Sequence, residues 1–330
     1  MATTATPAAK KGSAPKATKK VAKTYTFDLP DVKEFLKAGV QFGHQSKKWN
    51  PKMQKFIFGK REQIHIIDIS KSLPALEAAM QFLAQAASDG EVMFVGTKRQ
   101  ASDIVRDVAI DAGAYFITHR WPGGLLTNFD MIRQSLKRFN GLEQEFSTGV
   151  EGRTKFEISQ MKKDWEKMNR LYEGMKTMTK YPKAIVIVDT KFEKNAVSEA
   201  RAMGIPIVGL VDTNCDPEDV DFAIPANDDA IGSISLLVGL LGQAVKKGNE
   251  GKGIKHDLVD YSTYEVKIVK SAQEDSERVE VAATPEVKQR DAKAEIPSKS
   301  RTAGSKGMLE DIQKTRETAK RKQASSARKK

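Results

Sequence analysis

The chain lacks most of what marks a secreted or membrane protein. One cysteine in 330 residues excludes an intrachain disulfide and suits a reducing compartment. No apolar run approaches the roughly 18–20 residues that span a bilayer, and no apolar segment of the secretory-signal type is expected near the start. The four histidines, at 44, 65, 119 and 256, have no metal-ligand spacing. Neither G-x-G-x-x-G nor G-x-x-x-x-G-K-[ST] occurs, so the usual nucleotide cradles are missing. No Ser/His/Asp or Cys/His set falls near the predicted strand ends. A nucleotide- or metal-dependent enzyme is therefore the weaker reading, and a small-molecule substrate is not expected.

Charge is present in excess but unevenly. The formal net charge is +12, yet residues 26–248 hold 30 basic and 29 acidic residues. Residues 1–25 carry six Lys and no acid, and 249–330 carry 19 bases against 14 acids. Both ends are poor in large apolar residues. They are expected to be a disordered basic tail (1–25) and a mostly disordered mixed-charge extension (249–330). Within the middle, Lys37 to Arg61 has seven bases and no acid, and Asp212 to Asp229 has seven acids and no base. Such polarity fits a body set between a polyanion and another partner, or simply two solvated loops of opposite sign.

The apolar pattern predicts an α/β domain over 26–248. Ala184-Ile-Val-Ile-Val188 is continuous rather than alternating, as in a strand buried on both faces. Val92–Val95 and Ile205–Val211 read the same way. Residues 192, 196, 197, 200 and 203 have helical spacing, with Gly204 as the stop. Strand, helix, strand is a βαβ unit, so a mostly parallel sheet with a right-handed crossover is expected. Ile64–Ile69 predicts another strand, the stretch from Ser70 to Gly90 a helix, and Ala223–Pro225 an edge strand. Residues 129–179 interrupt this rhythm. Apolar residues recur at three or four on both sides of Ser147–Gly152, predicting an inserted antiparallel helical hairpin of coiled-coil type. Its basic flank, Arg133, Lys137 and Arg138, faces either solvent or RNA.

Residues 41–58 are expected to form a loop, because Gly43, Asn50 and Pro51 break regular structure. Here Lys47, Lys48, Lys52 and Lys55 interleave with Trp49, Phe56 and Phe58. Four lysines within nine residues and no acid fit phosphate contact. The aromatics fit core anchors, or packing on a sugar or base. Gly96-Thr-Lys98-Arg99, following a strand, fits a backbone phosphate better than a nucleotide. Arg120 and Trp121 precede a Pro-Gly turn and are candidates for a phosphate contact and an aromatic wedge, Trp121 being equally suited to packing under the turn. Asp228 and Asp229 are expected to offset the free N–H groups of the last helix. Asp189, Asp212 and Asp216 leave neighbouring strand ends, a spacing that permits a shared divalent ion without requiring one. No other cofactor is expected.

Several stretches resemble one family. They are Phe42-Gly-His with Trp49-Asn-Pro-Lys-Met53, Phe94–Arg99, His119-Arg-Trp with Leu126-Thr-Asn128, Gln134–Arg138, Pro182–Asp189, Gly204-Ile-Pro206, Val211–Pro217 and Ile224–Asp229. In order over roughly residues 29–247, they are similar to the bacterial small-subunit ribosomal protein S-two family. The resemblance implies a flavodoxin-like α/β domain with a protruding coiled coil, bound to small-subunit (16S) rRNA near the head–body junction. It also implies no catalysis and a role in recruiting the large mRNA-binding ribosomal protein. The expected location is the ribosome, in the cytoplasm ahead of an organelle, the helical hairpin resembling the bacterial and organellar branch alike. Two departures are Pro122, where many members have an aliphatic residue, and tails longer than the usual core.

Overall fold

The computed structural model describes residues 24–148, 150–151, 153–256 and 268–269, all within one unit, Met1–Glu277. The expected disorder of 1–25 and 249–330 therefore falls almost wholly outside the described residues. The elements in chain order are α1 (Val32–Ala38), β1 (Phe42–Gln45), β2 (Ile57–Arg61), β3 (Ile64–Ile67), α2 (Ile69–Asp89), β4 (Val92–Val95), α3 (Ser102–Ala112) and β5 (Tyr115–Ile117). There follow α4 (Phe129–Thr148), β6 (Val150–Glu151), α5 (Lys155–Tyr172), β7 (Ala184–Val188), α6 (Lys194–Met203), β8 (Ile207–Val211), β9 (Phe222–Pro225), α7 (Ile231–Asn249) and β10 (Ile268–Val269).

The main sheet has the order β5-β4-β7-β8-β9, and all its pairs are parallel. Numbered among themselves, its strands run 2-1-3-4-5, the flavodoxin-like order. Every residue of β4, β7 and β8 is buried, which is why their sequences show no alternation. Alternate residues still part to opposite faces. Phe94, Val186, Val188, Val208 and Leu210 join a core under α2, α3 and α7. Met93, Val95, Ile185, Ile187, Ile207 and Val211 join a second core with α4, α5 and α6. The α2–α7 contact is close because a Cβ on Gly248 would strike the Ala84 carbonyl oxygen. Gly204 ends α6 in the left-handed region, at φ 66°.

The inserted pair α4 and α5 runs antiparallel: Phe139 meets Tyr172, and Glu143 accepts from Trp165 Nε1 at 3.2 Å. Its seam buries Phe129, Ile132, Leu136, Phe139 and Phe146 against Ile158, Met161 and Trp165. Thr154 and Glu157 form a reciprocal cap at the start of α5, satisfying two otherwise free N–H groups.

Two expectations need correction. Residues 41–58 are not simply a loop: β1 and β2 flank β3 in a separate antiparallel sheet of order β1-β3-β2, with a short 3-10 helix, Pro51–Phe56, between β1 and β2. The strand from Ile64 ends at Ile67, because the Asp68 side chain accepts from the Ser70 N–H and starts α2. Two contacts follow α7. Ile254 N–H donates to the Gly113 carbonyl, and His256 Nε2 lies 2.8 Å from the Ala114 carbonyl oxygen.

Candidate nucleic-acid interface

The antiparallel sheet is an arm fixed to the carboxyl ends of β8 and β9. Gly43 lies so close that an added Cβ would stand 2.5 Å from Thr213 Cγ2. His44 N–H donates to Thr213 Oγ1 at 2.8 Å, and Asn50 N–H donates to the Thr213 carbonyl at 2.7 Å. At the far end, Ser46 N–H donates to the Gln63 carbonyl, which brings Lys47 and Lys48 beside the β2–β3 turn. Glu62 and Gln63 make that turn with φ of 50° and 67°.

The arm's cations have different fates. Lys47, Lys48, Lys60 and Arg61 are exposed. Among the described residues only Arg61 has a carboxylate near, its neighbour Glu62 at 3.8 Å. Lys55 is exposed, with its ammonium 5.0 Å from the Phe56 ring centre. Lys52 instead binds Asp216 at 2.8 Å and Glu218 at 2.6 Å. The hydrogen bond to Asp216 raises its pKa. Trp49 is half-buried, its ring 5.2 Å from that of His65. Phe58, expected as a possible core anchor, is 79% exposed.

The switch point of the sheet lies between β4 and β7, where ligands gather in open α/β sheets. Here a side chain of the protein fills it. Lys98 Nζ lies 3.1 Å from Asp189, 2.9 Å from Asp228 and 2.6 Å from Asp229. Burial works against its charge, but the carboxylates outweigh it and raise the lysine pKa. The expected phosphate cradle is also occupied, since Thr97 N–H and Oγ1 both reach Glu193 Oε1. Helix α3 starts only at Ser102. Arg99, by contrast, is exposed.

Asp228 and Asp229 therefore hold Lys98, while Asn227 Oδ1 takes the N–H groups of Asp229 and Ala230 that precede α7. Burial and the nearby Asp212 and Asp189 push the Asp228 carboxyl up to about 7. Its Oδ2 is buried and, among the described residues, has no hydrogen-bond partner. His44 Nδ1 lies 2.9 Å from Asp212 Oδ2, a bond that raises the imidazole pKa. The expected trio Asp189, Asp212 and Asp216 is not brought together as a ligand set, Asp216 being held by Lys52. Among the described residues, two other groups have donor atoms within 4.8 Å of one another: His44, Asp228 and Asp229, and Asp189, Cys215 and Asp228. The Cys215 thiol is pushed up to about 12 by burial, leaving it protonated and a poor ligand as it stands.

The Pro-Gly turn is organised by Glu199, a residue of the family-like stretch between Asp189 and Gly204 to which sequence reasoning gave no role at the turn. Its Oε1 accepts from Trp121 Nε1 at 3.0 Å and Gly124 N–H at 2.8 Å, and its Oε2 from Leu126 N–H at 3.0 Å. Burial pushes this carboxyl up, but the donors prevail and lower its pKa. Trp121 is thereby packed beneath the turn, 6% exposed, whereas Arg120 stays exposed. Its glutamate partner is 78 residues away, so no local pattern announces it.

Much of the chain is similar to known proteins. A family model described as Ribosomal protein S2 matches residues 35–248. Small ribosomal subunit protein uS2 of Geotalea uraniireducens (strain Rf4) is 46% identical over 226 residues, covering 68% of this chain and 88% of that one. The matched span takes in the arm, the switch point and the Glu199 turn alike. The chain belongs to the ribosomal protein S2 family, structural constituents of the small ribosomal subunit.

Proposed function

We propose that this protein binds small-subunit rRNA through its β arm, near the head–body junction, in cytoplasmic ribosomes. The observation that carries this reading is the sorting of the arm's charges. Lys47, Lys48, Lys60 and Arg61 stand exposed on a sheet pinned to the domain, while Lys52 is neutralised internally. Rigidly held, unspent cations suit a phosphate backbone, and exposed Arg99 and Arg120 extend the set. The acidic strand ends and the helical pair are left for neighbouring proteins, the large mRNA-binding ribosomal protein among them. The protein's part is structural and not catalytic.

Binding of the full chain to 16S rRNA over a salt series tests the reading. Replacing Lys47, Lys48, Lys60 and Arg61 by Gln is expected to weaken binding. The log–log salt slope should shrink by roughly 0.7–0.9 for each phosphate no longer neutralised. Lys52→Gln is expected to leave the slope unchanged. An unaltered slope in the fourfold variant rejects the arm as the electrostatic contact.

A divalent ion is a second proposal, favoured by the orphaned Oδ2 of Asp228. Imidazole with carboxylates suits zinc better than magnesium, so His44, Asp228 and Asp229 are the proposed ligands. Thermal unfolding of chelator-treated protein should shift upward with zinc, less with magnesium, and not at all in Asp228→Asn. Equal melting of the wild type with and without zinc rejects the site.

A further inference from the structure

We propose that Phe58 is a stacking platform for an unpaired nucleobase of the rRNA, with Lys60 and Arg61 holding the adjoining phosphates. This rests on the rRNA-binding reading above and names the contact the arm makes. Between β2 and β3, Ile57 lies opposite Ile67 and Gly59 opposite Ile66. Two steps on one strand thus match one on the other, and Phe58 is the extra residue of a β-bulge. Bulges re-aim side chains, and this one turns a large apolar ring outward, 79% exposed.

The backbone that carries the ring is fixed on both sides. Ile57, just before it, packs against the second core, and the next residues are tied by pairing of Lys60 with His65 and Arg61 with Ile64. A Cβ on Gly59 would meet nothing within 4 Å apart from its chain neighbours, so the strand next to Phe58 is open. Lys60, two residues on, is exposed as well.

The choice between RNA and a protein partner follows from the surroundings. Phe156 is equally exposed and Phe192 nearly so, but Phe58 alone of the three lies in the acid-free stretch Lys37–Arg61. A protein docking on the ring would have to answer the charges of Lys55, Lys60 and Arg61. A looped-out nucleotide brings its own phosphates and a flat base, and unpaired bases are read by stacking on aromatic side chains.

The test uses the full chain, 16S rRNA and four variants: Phe58→Ala, Phe58→Leu, Phe58→Tyr and the pair Lys60→Gln/Arg61→Gln. An exposed ring can be removed without unfolding the domain, which a melting curve verifies. Phe58→Ala is expected to weaken binding about 5- to 150-fold, the range for loss of one stacked base, with the salt slope unchanged. Phe58→Tyr should bind as the wild type does, and Phe58→Leu should remain weak. The Lys60/Arg61 variant should show a smaller slope. Wild-type affinity in Phe58→Ala overturns the proposal while leaving the rRNA reading intact. Recovery by Leu as full as by Tyr also overturns it, since that is apolar contact without stacking. Absence of 16S rRNA binding by the wild type instead removes the reading on which the proposal stands.

Discussion

Asp228 shows how one buried residue can set a pH response. Its carboxyl is wholly inaccessible to solvent and rises from an ordinary 3.8 to about 7. A raised folded-state pKa means that the unfolded chain releases the proton first as pH climbs. The contribution to stability is whole below about pH 4 and drains away as pH rises through about 7. His44 and Glu193, both raised, act with the same sign. Asp228→Asn, which cannot ionise, is expected to flatten the fall in stability between pH 5 and pH 8 by roughly 1–3 kcal/mol, one pKa unit being worth about 1.4. Urea unfolding at the two pH values, in chelator-treated buffer, checks this. Parallel pH profiles for variant and wild type contradict it. None of this was legible along the chain, because Lys98 meets Asp189 and Asp228 across 91 and 130 residues. Sequence showed which residues leave the strand ends and not which of them neutralise one another.

At the scale of elements, legibility followed burial. Strands buried on both faces announce themselves by unbroken apolar runs, as Ala184–Val188 does, and the α4–α5 seam by its three-and-four spacing. The arm escaped because its hairpin turns on Glu62-Gln63, without the Asn-Gly or Asp-Gly that normally accommodates positive φ. Gly43, Asn50 and Pro51 also mimic loop composition, whereas Gly43 is there for close approach to Thr213. The turn before α4 depends equally on distant chemistry. Glu199→Gln replaces an acceptor oxygen by a donor facing N–H groups, and unmet buried groups of this kind cost about 1–3 kcal/mol each. A fall in Tm of roughly 3–8 °C is expected, with altered Trp121 fluorescence. In the helical pair, Trp165 is 2% exposed, and Trp165→Ala should cost about 3–5 kcal/mol. Calorimetry measures both, and a Tm within a degree of wild type in either case contradicts its assigned role.

For the molecule as a whole, the fold divides labour between a parallel sheet and the antiparallel arm seated at its carboxyl ends. A parallel sheet supplies the rigid body. Its switch point, a ligand crevice in many relatives of the fold, is filled by Lys98 and three aspartates. The antiparallel arm carries the exposed positive charge instead. Near neutrality of residues 26–248 therefore conceals an excess of exposed bases on the arm, while most acids of 212–229 are paired within the chain, and this placement rather than the net charge fits an RNA-facing arm. A reconstruction of small subunits from cells that make this protein tests the claim most directly. The account predicts Lys47, Lys48, Lys60 and Arg61 within hydrogen-bonding reach of rRNA phosphate oxygens, about 2.7–3.2 Å, with Phe58 on a base. An arm lying in solvent or against protein, with the RNA elsewhere, contradicts it.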